Sequence, residues 1–458
     1  MTGVSRPRPW PEDPLPALAE LAARRPAVVL DDDPTGTQTV RDVHVLTAWD
    51  PDSIRRRLGD RIVFLSTNSR SLDEAAAVAL THDAVVAARR ASEDAGRPLS
   101  IVSRSDSTLR GHFPAETFAI AEAIGAPDAR VLLAPFFREG GRVTVGDVHM
   151  LERDGARVPV AETEFARDVA FGFHSSNLRD WVVEKYAKSE RAGPPTASLS
   201  LELIREGGPE AVADALRTLT PAGVAIANAE LDRDIEVVAL GALLAEEAGI
   251  PLVARTAASY VRARAGRAPV GVLDPSALGT GEPGLVVVGS HVQTTTVQVA
   301  ALIEGTSEKV IGVHEVPVTR LLRGVGERDH AVDEAVTAAN AALSSGRSAV
   351  VSTDRVRRDA GSSGGRVISA ALVDIVRRIE RRPAWVITKG GITSSDVATH
   401  GLGMREARVA GQILPGVPVW IGVHGSRWPT MPLVVFPGNV GGPSALLDAF
   451  RLLSAPRD

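Results

Sequence analysis

Short apolar runs rich in β-branched residues recur along the chain and alternate with Ala-rich amphipathic stretches. The runs lack the polar–apolar alternation of half-exposed strands, which is typical of strands buried on both faces of a parallel sheet. They lie at 27–30, 43–46, 62–66, 101–103, 131–134, 224–227, 285–288, 310–313, 349–352, 385–388, 417–421 and 433–435. Helices are predicted between them at 73–91, 211–219, 236–248 and 333–344. This alternation predicts an α/β fold.

A stretch at 264–284 is rich in Gly, Pro and Ala and has no apolar period, so it predicts a linker. It divides the 458 residues into two α/β domains with mainly parallel sheets flanked by helices, at 20–265 and 284–458. A chain of this length can form two hydrophobic cores. We expect the active site to lie in the cleft between the two domains.

The composition is that of a folded protein, with 44% hydrophobic and 23% charged residues. A net charge of −5 and an aromatic content of 4% argue against a nucleic-acid-binding surface. The absence of cysteine excludes disulfides, thiolate metal sites and a cysteine nucleophile. No apolar run approaches the roughly 18 residues of a membrane span. We therefore expect a cytoplasmic protein without nucleic-acid or membrane partners, and we leave homo-oligomer formation open.

Three consecutive aspartates, Asp31, Asp32 and Asp33, follow the first predicted strand. In open α/β sheets, ligands bind at the carboxyl ends of the strands. Two of these carboxylates could hold Mg²⁺ or accept hydrogen bonds from substrate hydroxyls. The alternative is a helix cap followed by a Pro-Thr-Gly turn, which needs only one aspartate. We favour a functional site because a cap does not account for three carboxylates.

Two more polar segments follow apolar runs. The turn at 66–71 contains Arg70, which suits a carboxylate ligand, although an ordinary N-cap turn explains it equally well. The segment 103–112 contains Arg104, Asp106 and Ser107. It suits an anionic polyol, with arginine for the carboxylate and Asp and Ser for the hydroxyls. Asp106 could also deprotonate a hydroxyl.

Two later segments leave alternatives open. Residues 134–149 include Arg138, Arg142 and His149, which could line the same site or belong to a hairpin-like excursion. Residues 158–168 are charged, and their pattern fits a solvated face as well as a site.

The second half contains glycine-rich turns after strand-like runs, at 289–290, 390–391 and 438–441. Glycine lets backbone N–H groups approach phosphate oxygens. One such turn is usually a plain connection, but three in one domain indicate a polyphosphate ligand such as ATP. The P-loop motif is absent, and the G-x-G-x-x-G at 279–284 precedes a strand instead of following one.

These motifs together resemble the four-carbon acid sugar kinase family, which phosphorylates erythronate, threonate and oxo-tetronate with ATP. The resemblance covers nearly the whole chain, and D-S-T-L-R-G at 106–111 is its most specific element. The matching motifs are D-D-x-T-G at 32–36, the Arg70 turn, x-x-D-S-T-L-R-G at 104–111, G-S at 289–290, G-G-I-T-S-S-D at 390–396 and G-N-x-G at 438–441. The resemblance implies an N-terminal sugar-acid domain and a C-terminal nucleotide domain.

The resemblance also implies roles for individual residues. Those for the sugar acid are Asp32, Asp33, Arg70, Arg104, Asp106 and Ser107. Those for the nucleotide are Ser290, Gly390, Gly391, Thr393, Gly438, Asn439 and Gly441. The chain departs from the family pattern at Arg104, His291, Val292, Pro437 and Val440. Lys389 is our candidate to replace a cation that the family usually has before G-N-F-G.

The resulting hypothesis is an ATP- and Mg²⁺-dependent phosphotransferase of carbohydrate metabolism that acts on an alcohol group. Arg70 and Arg104 would hold the substrate carboxylate, and Asp33 or Asp106 would orient and deprotonate the hydroxyl. Lys389 and the glycine turns would hold the triphosphate. The alternatives are a sugar-acid or nucleotide sensor without turnover, and a dehydrogenase or isomerase, which the misplaced dinucleotide fingerprint disfavours.

Overall fold

The computed structural model describes residues 7–153, 155–189, 191, 193–278, 281, 283–355 and 361–455. In chain order, the strands are β1 (Ala27–Asp31), β2 (Val43–Leu46), β3 (Ile62–Ser66), β4 (Ser100–Arg104), β5 (Arg130–Ala134), β6 (Arg142–Val145), β7 (Val148–Arg153), β8 (Ala156–Pro159), β9 (Thr196–Leu199), β10 (Val224–Ala227), β11 (Leu252–Thr256), β12 (Leu285–Val288), β13 (Ile311–Val316), β14 (Ser348–Thr353), β15 (Val386–Lys389), β16 (Glu406–Leu414), β17 (Val417–His424) and β18 (Pro432–Phe436). Residues 279, 280 and 282 of the predicted linker lie outside the described residues.

The helices alternate with these strands, as the α/β prediction requires. They are α1 (Leu15–Arg24), α2 (Pro51–Arg55), α3 (Glu74–Ala95), α4 (Ala115–Ala123), α5 (Leu178–Tyr186), α6 (Leu201–Thr218), α7 (Asp232–Glu247), α8 (Ala258–Arg264), α9 (Gln293–Glu304), α10 (Val318–Arg323), α11 (Val325–Ser344), α12 (Gly361–Arg378), α13 (Gly391–Asp396) and α14 (Ala445–Ser454). Across the described ranges, no helix has both the length and the apolar character that a bilayer crossing requires.

Helix α3 shows why these segments begin and end where they do. The Asp73 side chain accepts a hydrogen bond from the Ala76 amide, which caps the first turn, and Gly96 ends the helix in the left-handed region with φ of 60°. Its buried residues include Ala77, Ala84 and Ala88, which lie on one face at helical spacing.

The first compact unit consists of residues up to Gly36 together with Trp49–Pro269. Its main sheet has the order β3-β1-β4-β11-β5-β10-β9, and the neighbouring strands are parallel. Strands β1, β3 and β4 are buried along their whole length, as expected for strands covered on both faces. Because the strands are parallel, their carboxyl ends share one edge of the sheet.

A second, smaller sheet in this unit was only partly anticipated. Strands β6, β7 and β8 form an antiparallel sheet, which fits the hairpin-like alternative for 134–149. Strands β9 and β11 of the main sheet were not predicted. In β11 the apolar run is interrupted because Arg255 and Thr256 occupy its last two positions.

The second compact unit consists of Thr37–Ala48 and the chain from Val270 onward. Its strand order is β13-β14-β12-β15-β18-β17-β16-β2. The first five of these are parallel, whereas β17, β16 and β2 are joined by antiparallel pairings. The predicted domain 20–265 includes residues 37–48, but these residues pack with the second unit and supply the strand that pairs with β16.

Candidate active site

The carboxyl ends of neighbouring strands bring acidic and basic side chains together in the first unit. Asp31 ends β1 and Arg104 ends β4, and the strand register sets them side by side. Arg104 Nη1 lies 3.3 Å from Asp31 Oδ1 and 3.9 Å from Asp32 Oδ1. Backbone hydrogen bonds fix the turns, since Asp32 N donates to Arg104 O and Arg70 N donates to Asp32 O. The structure therefore brings Asp32, Arg70 and Arg104 together at one edge of the sheet.

Arg70 is the centre of this cluster. Its Nη2 lies 2.9 Å from Asp33 Oδ2 and 3.3 Å from Asp32 Oδ1, and its Nη1 lies 3.4 Å from Asp106 Oδ1. Burial disfavours the charged guanidinium, but the carboxylates outweigh this effect and raise the pKa of Arg70. The guanidinium thus binds the aspartates of the protein itself, where the sequence predicted a substrate carboxylate.

Asp33 and Asp106 are held as carboxylates. Burial alone would raise both pKa values. For Asp33 the charge of Arg70 and hydrogen bonds from Thr35 outweigh burial and lower the pKa. For Asp106 the charges of Arg110 and Arg70 have the same effect and hold the pKa far below its usual range. Arg110 Nε donates to Asp106 Oδ2 at 2.7 Å. Both residues are therefore ionised at neutral pH.

Asp31 and Asp32 have raised pKa values, in contrast to Asp33 and Asp106. Burial raises the pKa of Asp31 well above its ordinary value and that of Asp32 to about 6, although nearby arginines oppose both shifts. Oδ2 of each residue is buried and has no hydrogen-bond partner among the described residues. The cluster thus combines two low-pKa carboxylates with two that retain protons more readily, a separation that divides acid and base roles in many active sites.

A second buried ion pair, between Arg255 and Glu116, interacts electrostatically with Asp32 of this cluster. Arg255 Nη1 donates to Glu116 Oε2 at 2.8 Å, and Glu116 Oε1 accepts a hydrogen bond of 2.6 Å from Ser69 Oγ. Gly111 is in contact with this arginine, because a Cβ built there would lie 2.6 Å from Arg255 Nη2. Sequence reasoning missed both charged residues. The polar end of β11 was an available signal for Arg255, whereas a single Glu within α4 offered none.

His149 joins the antiparallel sheet to the D-S-T-L-R-G turn. Its Nε2 lies 2.8 Å from Ser107 O, and its Nδ1 lies 2.9 Å from Thr144 Oγ1. Burial lowers the pKa of His149 to about 4, so the ring is neutral, with Nε2 donating and Nδ1 accepting. Ser107 itself is buried. The sequence alternatives for His149 are thus both realised, since it lies in the hairpin and contacts the predicted site.

The other charged residues of the segments 134–149 and 158–168 lie partly near the site and partly on the surface. Arg142 is partly buried and interacts electrostatically with Asp106, and its Nε has no partner in the part of the chain that the structure describes. Arg138 lies 3.7 Å from Glu152 with its side chain exposed. Glu164 forms an exposed ion pair of 2.8 Å with Arg153, which fits a solvated face.

In the second unit, the three glycine-rich turns meet around Ser290. The amide of Ser290 donates to Lys389 O at 3.2 Å, and that of Gly390 donates to Phe436 O at 2.8 Å. A Cβ built at Gly390, where φ is +119°, would lie 3.1 Å from Ser290 Cβ, and one at Gly438 would lie 2.7 Å from Ser290 Oγ. Side chains would therefore separate turns that now pack directly together.

The remaining predicted nucleotide residues lie on or near these turns. Gly391 begins α13, and Thr393 is buried against Gly289, where a built Cβ would overlap its hydroxyl. Asn439 is exposed on the last turn, and Gly441 has φ of 85°.

Two polar side chains of α9 shape the last turn, and sequence reasoning missed both. Gln298 Nε2 lies 3.0 Å from Val440 O and 2.9 Å from Gly442 O. Thr295 Oγ1 lies 2.9 Å from Gly438 O. Their spacing of three residues places both on the buried face of the helix. The sequence T-T-T-V-Q does not indicate this, because it does not show which of its polar residues are buried.

Lys389 lies beneath these turns and not on their surface. Its side chain is fully buried, its Nζ donates to Pro437 O at 2.5 Å, and it lies 3.8 Å from the centroid of the Phe436 ring. Burial lowers its pKa to about 7. A different cation contacts the Ser290 turn, because Arg355 Nη1 donates to Ser290 O at 2.7 Å.

The described residues do not form a ready metal cage. Within the described ranges, no group of three acidic or histidine side chains is placed to hold a metal ion. Asp31 and Asp32 each have an oxygen to offer, but Arg104 already lies against both carboxylates. Mg²⁺ usually keeps several waters and takes only one or two protein carboxylates, so the absence of such a cage among the described residues does not exclude a Mg²⁺ site.

Comparisons with family models and with known proteins identify the family that the chain matches. Residues 27–264 match the model of a sugar-binding N-terminal domain, and residues 285–446 match that of a nucleotide-binding C-terminal domain. The chain is 28% identical to the D-threonate kinase of Cupriavidus necator over 381 residues, which cover 79% of this chain and 82% of that protein. It is 29% identical to the D-erythronate kinase of Heliobacterium modesticaldum over 208 residues, which cover 45% of this chain and only 43% of that protein.

A solved structure shows the same fold. A protein of Salmonella typhimurium LT2, provisionally described as a tRNA synthase, superposes with a TM-score of 0.66 at 19% identity, covering 93% of this chain and 99% of its own. At this identity the likeness establishes the fold alone. The two matched domains include every motif on which the sequence resemblance rests. The chain therefore belongs to the four-carbon acid sugar kinase family.

Proposed function

We propose that the chain is an ATP-dependent kinase that phosphorylates a hydroxyl of a four-carbon sugar acid such as erythronate, threonate or oxo-tetronate. The observation that carries this proposal is the convergence of Asp32, Asp33 and Asp106 on Arg70 at the carboxyl edge of a parallel sheet. This edge is where open α/β sheets bind ligands. The names of the related D-threonate and D-erythronate kinases support the same chemistry.

A polyol would complete the hydrogen bonding of this cluster. Asp31 Oδ2 and Asp32 Oδ2 are buried acceptors for which the described part of the chain offers no donor. Buried polar atoms without partners are rare in folded proteins. Hydroxyl groups of a sugar acid would donate to these oxygens, which gives the aspartates the hydroxyl-binding role that the sequence predicted for Asp32.

The substrate carboxylate requires a cation with a free donor. Arg70 is engaged by three aspartates. Arg104 and Arg142 each have a buried Nε that makes no hydrogen bond to any described residue. We assign the carboxylate to Arg104 and Arg142, and we assign Arg70 the task of aligning the aspartates.

Asp32 is the best candidate for the group that accepts the proton of the attacking hydroxyl. A general base works best when its pKa lies near the operating pH, and burial raises the pKa of Asp32 to about 6. Asp33 and Asp106 have lowered pKa values and are weaker bases. In phosphoryl transfer, positioning and electrostatic stabilisation contribute most, so Asp33 and Asp106 would act as fixed anions, aligned by Arg70, that orient the acceptor.

The nucleotide would bind at the glycine turns of the second unit. The amides of Ser290 and Gly390 already donate to backbone carbonyls, so the proposed phosphate donors are the backbone N–H groups of Gly391 and of the turn at 438–441. Arg355, which contacts the Ser290 turn, would add positive charge there. Lys389 would support the turn from beneath. Mg²⁺ would supply neutralisation of phosphate charge when bound with ATP.

The test is ADP release from the purified protein with Mg-ATP and a panel of erythronate, threonate and their oxo forms. We expect turnover with at least one acid well above the ATP-only background. Protein without added acid is the first control, and the variant Glu93→Gln, in an exposed ion pair on α3, is the second.

Two outcomes would contradict the proposal. A flat panel from protein that ATP still stabilises against heat would favour the sensor alternative. An absorbance change with a nicotinamide cofactor and one of these acids would favour a dehydrogenase.

A further inference from the structure

A small cavity in the first unit borders the predicted site at Asp106, and the function proposed so far assigns nothing to the space inside it. Asp106 forms one wall, and Leu109, Leu133 and Pro135 form apolar walls. Thr256, at the end of β11, and Trp181, in α5, also line it, and Ser105, Arg110 and Arg255 complete the lining. The cavity admits a group about the size of one water molecule or one hydroxyl.

Two of the residues that line this cavity each carry a polar atom without a partner among the described residues. Thr256 Oγ1 and Trp181 Nε1 are buried without a hydrogen bond to any residue that the structure describes, and both side chains are only 1% exposed. The indole nitrogen can only donate, whereas the threonine hydroxyl can donate or accept. A hydroxyl group of a ligand therefore complements these two residues, since it can accept a hydrogen bond from Trp181 and donate one to Thr256.

Both side chains are held in place by their surroundings. The Trp181 ring stacks on Phe113 with 4.7 Å between centroids and 22° between planes. The backbone of Thr256 is fixed by β11 and by a hydrogen bond of 2.8 Å from Ser105 N to Thr256 O. Neither group can turn toward solvent to find a partner without disrupting this packing. The cavity is thus preorganised for a hydroxyl group.

The size of the cavity excludes larger parts of the substrate. A carboxylate or phosphate is larger than the cavity, although Arg110 and Arg255 also line it. The C–H groups that flank a secondary or primary alcohol would instead contact the apolar walls of Leu109, Leu133 and Pro135.

We propose that this cavity receives one hydroxyl of the sugar acid other than the hydroxyl that is phosphorylated, and that Thr256 and Trp181 thereby determine which acids bind. This inference rests on the proposed sugar-acid substrate. A site that hydrogen-bonds a substrate hydroxyl discriminates against an analogue that lacks it, because the buried groups of the protein are then left unpaired. The cavity therefore recognises the position and configuration of one hydroxyl.

The test measures binding of erythronate, threonate and their monodeoxy analogues by calorimetry in the absence of nucleotide. Thr256→Val removes the hydroxyl with little change of shape, and Thr256→Ser retains it as the matched control. We expect one deoxy analogue to bind wild type about tenfold more weakly than its parent acid. Thr256→Val should bind the parent about tenfold more weakly but that analogue unchanged, and Thr256→Ser should resemble wild type.

Trp181→Phe provides the second arm, because it removes the N–H and keeps an aromatic ring on Phe113. It should lose discrimination against the same analogue, with melting curves used to confirm that the variant is folded. If both variants keep the wild-type ratio for every analogue, the cavity holds only water and the inference is overturned. If wild type binds none of the acids, the proposed function itself fails and this inference fails with it.

Discussion

Arg255 donates a hydrogen bond of 2.8 Å to Glu116 in the interior of the first unit, and the two side chains are only 3% and 5% exposed. Removing one partner would leave a buried charge without compensation. We expect Glu116→Ala to lower the free energy of unfolding by about 3–5 kcal/mol, measured by urea denaturation. The double variant Glu116→Leu/Arg255→Met should recover part of this loss. Glu93→Ala, in an exposed ion pair, should change stability by less than about 1 kcal/mol. Equal losses from both glutamates would contradict this reading.

Asp106→Ala tests the anion that helps to align Arg70. The carboxylate interacts with Arg70 and Arg110, so its loss would disturb the proposed acceptor site without touching the glycine turns of the second unit. We expect the rate of ADP release to fall by about 10²-fold or more, with ATP affinity near wild type. Turnover close to that of wild type would remove Asp106 from the mechanism.

The raised pKa of Asp32 makes stability depend on pH. Burial raises this pKa to about 6, so the folded protein holds the proton more tightly than the unfolded chain does. The stability that this proton confers is present below about pH 4 and is lost as the pH rises to about 6. A shift of about two units corresponds to about 3 kcal/mol.

Asp32→Asn removes this titration. The unfolding free energy of the variant relative to wild type should therefore increase by up to about 3 kcal/mol between about pH 4 and pH 7. Denaturant titrations at both pH values measure the difference. A difference that does not change with pH would show that Asp32 is ionised throughout, and turnover of the wild type would then show no rise near pH 6 from this group.

Position 36 requires glycine because a side chain there would overlap Asp31, and not because of its backbone angle. A Cβ built at this position would overlap the Asp31 carboxylate, although φ lies in the ordinary range. We expect Gly36→Ala to lower the free energy of unfolding by about 1–3 kcal/mol and to reduce turnover, since Asp31 must move. Gly59→Ala is the matched control, because no described atom lies within 4 Å of a Cβ built there. Comparable losses from the two substitutions would refute the steric argument.

Lys389→Met separates support of the nucleotide turn from direct phosphate binding. The variant removes the hydrogen bond to Pro437 O and keeps the length of the side chain. We expect ATP to bind about tenfold more weakly and sugar acids to bind unchanged, with the exposed Lys309→Met as control.

The pH dependence of the stability of the same variant tests whether the Lys389 charge is buried. Burial lowers the pKa of Lys389 to about 7, so the charged form is disfavoured in the folded protein at lower pH. The stability of Lys389→Met relative to wild type should therefore be greatest below about pH 7 and decline as the pH rises toward about 10. A relative stability that does not vary with pH would contradict the burial of this charge.

Much of the fold follows from local sequence patterns. The runs at 62–66 and 224–227 coincide with β3 and β10 because each is apolar, apart from the final Ser66, and is bounded by turn residues. Strand β16 escaped prediction because Gly411, with φ of +140°, and three shifts in its register with β17 interrupt its pattern. Strands β6 to β8 are half exposed and carry charged residues, so no continuous apolar run marks them.

The site was predictable only where its residues follow a recognised strand. Asp32, Arg70 and Asp106 come directly after three neighbouring parallel strands, so topology brings them together. Arg255 occupies an equivalent place, but its strand was not recognised. The direction of the Lys389 side chain depends on packing between strand and turn, which a motif does not encode.

Because residues 37–48 belong to the second compact unit, the order in which the chain is synthesised affects when that unit can fold. Strand β2 leaves the ribosome long before β16, with which it pairs, so the second unit cannot complete its sheet until almost the whole polypeptide has been made. A gene fragment that encodes only the chain from Val270 onward would leave one side of β16 unpaired, which favours association between copies. Thr37 Oγ1, which accepts a hydrogen bond of 3.0 Å from Trp420 Nε1, reinforces the same dependence. The two halves of the gene are therefore not interchangeable modules, and recombination at the linker would produce a protein with an incomplete sheet.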